Sequence, residues 1–197
     1  MIGTATKKLP KAERREQLLE TAQAILGEEG TDALTLGYLA ERAGVSKPIA
    51  YEHFGTRAGL LIAICGAYDE RQEVAQQQAL DAGGDTLADL AGIFASSYVG
   101  CVLDMGPAMD AAFAALSATE ETADFRQSLR RGYVERYRNA FGRLVELPDN
   151  DTAIFMGLLG AAEALAGDAA AGRLSRNDAV EALSRIFVAT LERYPPK

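Results

Sequence analysis

Apolar residues return every three or four positions along almost the whole chain, and alternating β-branched runs are absent. From Lys11 to Glu29, Leu18, Leu19, Ala22, Ile25 and Leu26 keep a helical period that Gly30 stops. Thr35 stands where a cap belongs for a short second helix with Leu36, Leu39, Ala40 and Ala43 on its inner face. Gly44-Val45 ends that helix, Ser46 caps a third with Pro48 in its first turn, and Gly55 closes it. Thr56 opens a longer helix to about Asp81, striped by Leu60, Leu61, Ile64, Cys65 and Tyr68. After the break at Gly83-Gly84 come helices near 85–104, after Pro107, near 121–147, near 151–171 and near 176–194. The expectation is an all-α fold of about nine helices, divided into residues 1–55 and 56–197.

Composition narrows the classes. A chain of 197 residues that is 48% hydrophobic can bury a real core. No uninterrupted apolar run reaches the roughly 18–20 residues that span a bilayer, and no signal peptide is visible, so a cytoplasmic protein without membrane association is expected. Two cysteines, Cys65 and Cys101, make no disulfide framework, and one histidine makes a structural zinc site improbable; no metal or other cofactor is expected. Phosphate loops, nucleophile elbows and paired-carboxylate spacings are absent, which leaves an enzyme reading without residues to carry it.

Net charge is −8, yet it is unevenly spread. Residues 1–60 balance eight Lys/Arg against eight Asp/Glu, whereas residues 61–197 hold twelve against twenty. The N-terminal third is the relatively basic end of an acidic protein.

That end carries the candidate chemistry. Two short helices joined by a tight turn at Gly44, behind a longer helix, have the sequence shape of a helix-turn-helix, whose second helix enters the DNA major groove. Ser46 and Lys47 stand at a helix N-terminus that favours phosphate, and Lys47 is long enough to reach guanine O6/N7. Pro48 and Ile49 suit thymine methyls; Tyr51 and His53 can donate to phosphate, and Arg57 can clamp the flanking backbone. Lys7, Lys8, Arg14 and Arg15 are further candidates for phosphate or minor-groove contact, and Glu52 reads as a solvent-facing residue.

Across TLGYLAERAGVSKPIAYEHFGTRAGLL (35–61) the chain closely resembles the tetracycline-repressor (TetR) family of bacterial regulators. The resemblance implies an all-helical homodimer that binds operator double-stranded DNA through Thr35, Ser46, Lys47, Pro48, Ile49, Tyr51, His53 and Arg57. It departs at Gly37, where some members carry a base-reading side chain, and at Glu52, a negative charge on the recognition helix. The resemblance also implies a small-molecule pocket in helices four to seven. Phe94, Tyr98, Cys101, Met105, Met109, Phe113, Phe125, Tyr133 and Tyr137 are its candidates here, because tyrosine hydroxyls and adaptable methionines within an apolar wall are usual in such sites. Gly157, Gly160, Ala161 and Ala164, with Leu183, Phe187 and Leu191 of the last helix, suggest a two-fold four-helix interface, with burial inside the monomer as the competing reading. The functional expectation is a repressor released from a palindromic operator by a small molecule; the alternative is a helical ligand-binding or scaffold protein that has lost operator binding.

Overall fold

The computed structural model describes residues 9–116 and 120–197. Residues 1–8, with the arm candidates Lys7 and Lys8, lie outside that range. The described residues form α1 (Lys11–Glu29), α2 (Leu36–Arg42), α3 (Lys47–Phe54), α4 (Arg57–Ala82), α5 (Leu87–Asp104), α6 (Gly106–Ala115), α7 (Glu120–Phe141), α8 (Asp151–Ala170) and α9 (Arg176–Leu191). Hydroxyl caps set several starts. Thr35 accepts from Tyr38 N at 3.2 Å, Thr56 from Gly59 N at 2.9 Å and Ser175 from Asp178 N at 3.1 Å, while Thr86 and Asp89 cap each other's backbone. Gly44 and Gly55 take φ of +66° and +69°, the left-handed conformation that lets α2 turn into α3 and α3 into α4 without a Cβ penalty.

Two hydrophobic cores result. One joins Leu18, Ala22, Ile25 and Leu26 of α1 to Leu39, Ala50 and Phe54 of the short helices. It also takes Leu60, Leu61, Ile64 and Cys65 from the first turns of α4, and Ala112 and Leu116 from α6 and its end. The other is built from α5, α7, α8 and α9 around a stack of rings: Phe94, Tyr137, Phe141, Phe155 and Phe187, each wholly buried. Phe141 stacks on Phe187 at 5.4 Å, and Tyr137 meets Phe94 and Phe187 edge-on at 4.9 and 5.1 Å.

The structure corrects three expectations. The helix expected to run to 147 ends at Phe141, and the chain turns at Gly142, where a Cβ would lie 2.7 Å from the Arg138 carbonyl. The segment after it pairs with the C-terminus: Glu146 N donates to Pro195 O at 2.8 Å and Lys197 N to Leu144 O at 3.0 Å. The apolar-run count also understated two helices. Leu87–Asp104 and Asp151–Ala170, each with a mean hydropathy of 1.4, are long and apolar enough to cross a bilayer by length and composition. Glycines and serines interrupt their runs without lowering the average much, and both pack within the second core. The third concerns Leu183, Phe187 and Leu191, which face that core and are fully buried within this chain, so they present nothing to a second copy.

Phe187→Ala tests the last assignment. Removing a wholly buried ring between Tyr137 and Phe141 should cost about 3–5 kcal/mol in urea unfolding. A loss below about 1 kcal/mol, the range of exposed positions, would place Phe187 outside the core.

Candidate DNA-contacting face and ligand cavity

The third helix is held by its neighbours at both ends, leaving one side open. Ser46, Lys47, Pro48 and Tyr51 are exposed, Tyr51 to 53%, while Ala50 and Phe54 on the opposite side are buried. Ser46 occupies the N-cap position with no side-chain cap bond, and no acidic residue lies in the first turn of α3. The helix therefore presents a hydroxyl and one lysine together at its positive dipole end, although Pro48 has no N–H and Ile49 N already donates to Ser46 O at 3.0 Å. Thr35 is exposed beside them, its hydroxyl committed as the cap of α2. Lys47 lies across Gly37: a Cβ there would stand 3.7 Å from Lys47 Cε, so the missing side chain leaves room for the lysine stem. Ile49 is half-buried against the N-terminal core.

Two candidates are engaged within the protein. Arg57 Nε donates to Leu34 O at 3.0 Å and its terminal nitrogen to Thr31 O at 2.6 Å, so the guanidinium ties the start of α4 to the α1–α2 loop. Nearby, a Cβ at position 59 would lie 2.1 Å from the Phe54 carbonyl; only glycine lets α3 end so close to α4. His53 is partly buried, its carbonyl accepts from Arg15 at 3.4 Å, and burial, reinforced by Lys11, Arg15 and Arg14, holds its imidazole below the ordinary value. Glu52 is exposed, as expected, and pairs with Lys11 at 3.2 Å. Of the arm candidates, Arg14 is buried beside Gln17, and Arg15 lies over the Phe54 ring at 5.1 Å.

Between α4, α5, α6, α7 and α8 lies a cavity of about 520 Å³. Of the nine expected lining residues it contains Tyr98, Cys101, Met105, Phe113 and Tyr133. Phe94 and Tyr137 instead belong to the aromatic core, and Met109 and Phe125 pack on the N-terminal core, with Phe125 reaching Gly66 of α4. Helical period alone does not separate these faces, because consecutive turns of α5 to α7 are apolar on more than one side. Residues missed at the sequence level complete the lining: Tyr68 and Asp69 of α4, Arg126, Leu129 and Arg130 of α7, and Leu159 and Glu163 of α8. The signal available was Tyr68 and Asp69 at the end of the α4 stripe.

The cavity's charged groups are paired. Arg130 holds both oxygens of Glu163 at 2.6 Å, and Arg136 reaches Asp69 at 3.6 Å and Glu73 at 3.1 Å. Burial raises the Asp69 carboxyl above its ordinary value although Arg136 and the Tyr133 hydroxyl oppose it. The Tyr68 hydroxyl donates to Cys101 O at 2.8 Å, bridging α4 to α5, and burial pushes the Cys101 thiol up to about 11.

On the outer side of α8, Gly157 and Ala164 are exposed and Gly160 and Ala161 half-buried, with open space beside both glycines. Ile186 of α9 is 38% exposed.

Residues 18–64 match the family model described as bacterial regulatory proteins, tetR family. The chain is 37% identical over 73 residues to an HTH-type transcriptional activator, FasR, of Mycolicibacterium smegmatis, covering 37% of this chain and 33% of that protein. It is 42% identical over 50 residues to the HTH-type transcriptional regulator BetI of Rhizobium meliloti, a quarter of each chain. The chain thus spans a third or less of the curated relatives' length. Whole-chain likeness comes from solved structures. A putative TetR-family regulator from Rhodococcus sp. superposes with a TM-score of 0.69 at 22% identity over 91% of this chain and 99% of that one. A putative transcriptional regulator of Pseudomonas aeruginosa PAO1 gives 0.72 at 14% identity over 97% and 98%. At these identities the likeness establishes the fold.

The two basic residues separate by stability. Arg57→Ala leaves two loop carbonyls without their charged donor and should lower unfolding free energy by about 1–3 kcal/mol. Lys47→Ala, at an exposed position, should stay within about 0.5 kcal/mol. Equal, small losses in urea titrations of both variants would show that Arg57 does not anchor the loop.

Proposed function

We propose that this chain, which by its N-terminal domain is a regulator of the tetR family, is a homodimeric repressor released from a palindromic operator by a small molecule. The observation that carries the reading is one side of α3, open at its N-terminus, on a helix-turn-helix fixed to the same α4 that lines the cavity. In this reading Lys47 reads a base edge, Pro48 and Ile49 meet methyl groups, and Ser46, Tyr51 and the α3 amides hold phosphates. Thr35 and Arg57 support that face more than they extend it, since their polar groups serve the α2 cap and the α1–α2 loop, and His53 adds its imidazole at the C-terminal end of α3. Residues 1–55 act as the DNA-binding unit and 56–197 as the effector and dimer unit. Their packing overlaps, because the first turns of α4 and one side of α6 belong to the N-terminal core.

Dimerisation would use the open side of α8, Gly157, Gly160, Ala161 and Ala164, together with Ile186 of α9. Small residues allow close helix approach, and two-fold symmetry sets the half-site centres a whole number of turns apart, about 10 bp each. Repression follows from occupancy: a dimer across a promoter excludes polymerase without a further contact. The relative from M. smegmatis is an activator, so the sign of regulation is read from transcription in vitro.

The test is binding to the chain's own upstream DNA. Lys47→Ala should weaken operator binding by about 1–3 kcal/mol and relax preference at one base pair per half-site. An equal loss on random DNA would reassign Lys47 to phosphate. Failure of the unmodified protein to shift any upstream fragment would favour a ligand-binding or scaffold protein. Ala164→Glu should convert dimer to monomer in sedimentation and abolish operator binding with α3 untouched; a monomer of full operator affinity would overturn the symmetric reading.

A further inference from the structure

Part-buried charges on the cavity lining have opposite charges beside them, while a tyrosine hydroxyl in the adjoining aromatic core has no partner among the described residues. Of the part-buried charges on the lining, Arg130 holds Glu163, and Asp69 has Arg136 at 3.6 Å; Arg136, whose Nε also lacks a partner among those residues, stands outside the lining. The remaining charges on the lining, Asp110 and Arg126, are exposed and of opposite sign. A charged ligand that reaches the part-buried lining must break an ion pair there or lose hydration without replacement.

Tyr137 is the opposite case. Its side chain is fully buried, and its hydroxyl has no hydrogen-bond partner among the described residues. The ring is gripped edge-on by Phe94 and Phe187, and the polar groups that bear on the hydroxyl are Tyr98, Arg136 and Glu163. The Tyr137 ring lies 6.4 Å from that of Tyr133, which with Tyr98 lines the cavity, so Tyr137 stands in the layer behind that wall. Tyr98 packs edge-on against Tyr133 at 5.4 Å, an aromatic contact that yields to a modest ring shift more readily than an ion pair yields to separation. Buried hydroxyls without partners are rare, because each forgoes the hydrogen bonds that water supplied.

We propose that the effector is an uncharged, largely apolar molecule that carries a hydrogen-bond-accepting oxygen, and that this oxygen displaces the Tyr98 ring to accept from the Tyr137 hydroxyl. The assignment rests on the reading of the cavity as the effector site and adds to it the ligand's chemical class. The apolar body lies against Val102, Phe113, Leu129 and Leu159, whose side chains offer it no polar partner. Bodies of two fused or linked rings, or of about ten carbons, fit within the cavity's volume.

Matched probes test it: biphenyl, naphthalene and decyl bodies, each bearing a methyl ketone, a carboxylate or an ammonium group. Titration calorimetry on the full chain is expected to show the ketone of at least one body binding about tenfold or more tighter than its charged counterparts, the worth of one buried hydrogen bond together with the avoided burial of charge. In Tyr137→Phe that preference should fall to less than about threefold. The ligand-free variant should melt no lower than the unmodified protein, since it loses only a hydroxyl without a partner. A carboxylate or ammonium probe that binds as tightly as its ketone would overturn the proposed class while leaving the cavity as an effector site. If no probe of any charge binds, the effector-site reading falls and the proposal with it. An unchanged ketone preference in Tyr137→Phe, or a melting temperature lowered by several degrees, would show that the hydroxyl already has a partner and would overturn the assignment.

Discussion

The helix-turn-helix and the cavity are joined by the packing of α6 between them. Ala112 and Leu116, wholly buried, contribute to the core that holds the helix-turn-helix, alongside Leu18 of α1 and Leu61 and Ile64 of α4. The other side of the same helix, through Asp110, Phe113 and Ala114, lines the cavity. A ten-residue helix with one side in each has no room to adjust independently, because close-packed interiors compress little and resist the loss of even one methylene. Whatever displaces Phe113 therefore bears on Leu116, and whatever holds Leu116 bears on the shape of the cavity.

A similar economy operates at the α3–α4 junction. Gly59 lets the Phe54 carbonyl approach where a Cβ would lie 2.1 Å from it, and Arg57 crosses to two carbonyls of the α1–α2 loop. These contacts leave the N-terminal side of α3 bare while clamping its C-terminal side. They also show how an acidic chain can present a DNA-facing surface. The relevant field is local: Lys47 and the amide ends of α3 face outward, Glu52 is offset by Lys11, and Glu28 and Glu29 are held by Arg42.

Much of this was legible in the sequence because the signals were local. Caps at Thr35, Thr56 and Ser175 and glycines at 44 and 55 mark helix boundaries through hydrogen bonds only a few residues long. Less legible was anything that depends on which of several apolar sides faces which neighbour. Phe187 and Leu183 carry the same period whether they meet α5 or a second subunit, and Tyr137 and Tyr133 differ by one turn of α7 yet lie in the core and on the cavity wall. The tie of Arg57 to Leu34 and Thr31 was not legible, because their proximity in space does not follow from their separation in sequence. The cavity's polar lining was missed for the same reason, as Asp69, Arg130 and Glu163 come from three helices and look like ordinary surface charges until the helices pack.

The length of α4 decides how large a movement regulation needs. Arg57 at its start and Tyr68 on the cavity wall are eleven residues apart, about 16 Å along the axis at 1.5 Å per residue. A tilt of about 5° pivoting at the cavity would carry the α3 end sideways by about 1.4 Å over that lever. Hydrogen bonds to base edges tolerate only a few tenths of an ångström about their optimum near 2.9 Å, so such a shift removes direct readout on one half-site. In the proposed dimer, the separation of the recognition helices would change by the sum of both displacements, while the spacing of the half-sites on stiff DNA stays the same. A tilt of a few degrees at the cavity is thus the scale of change that the proposed operator release would demand.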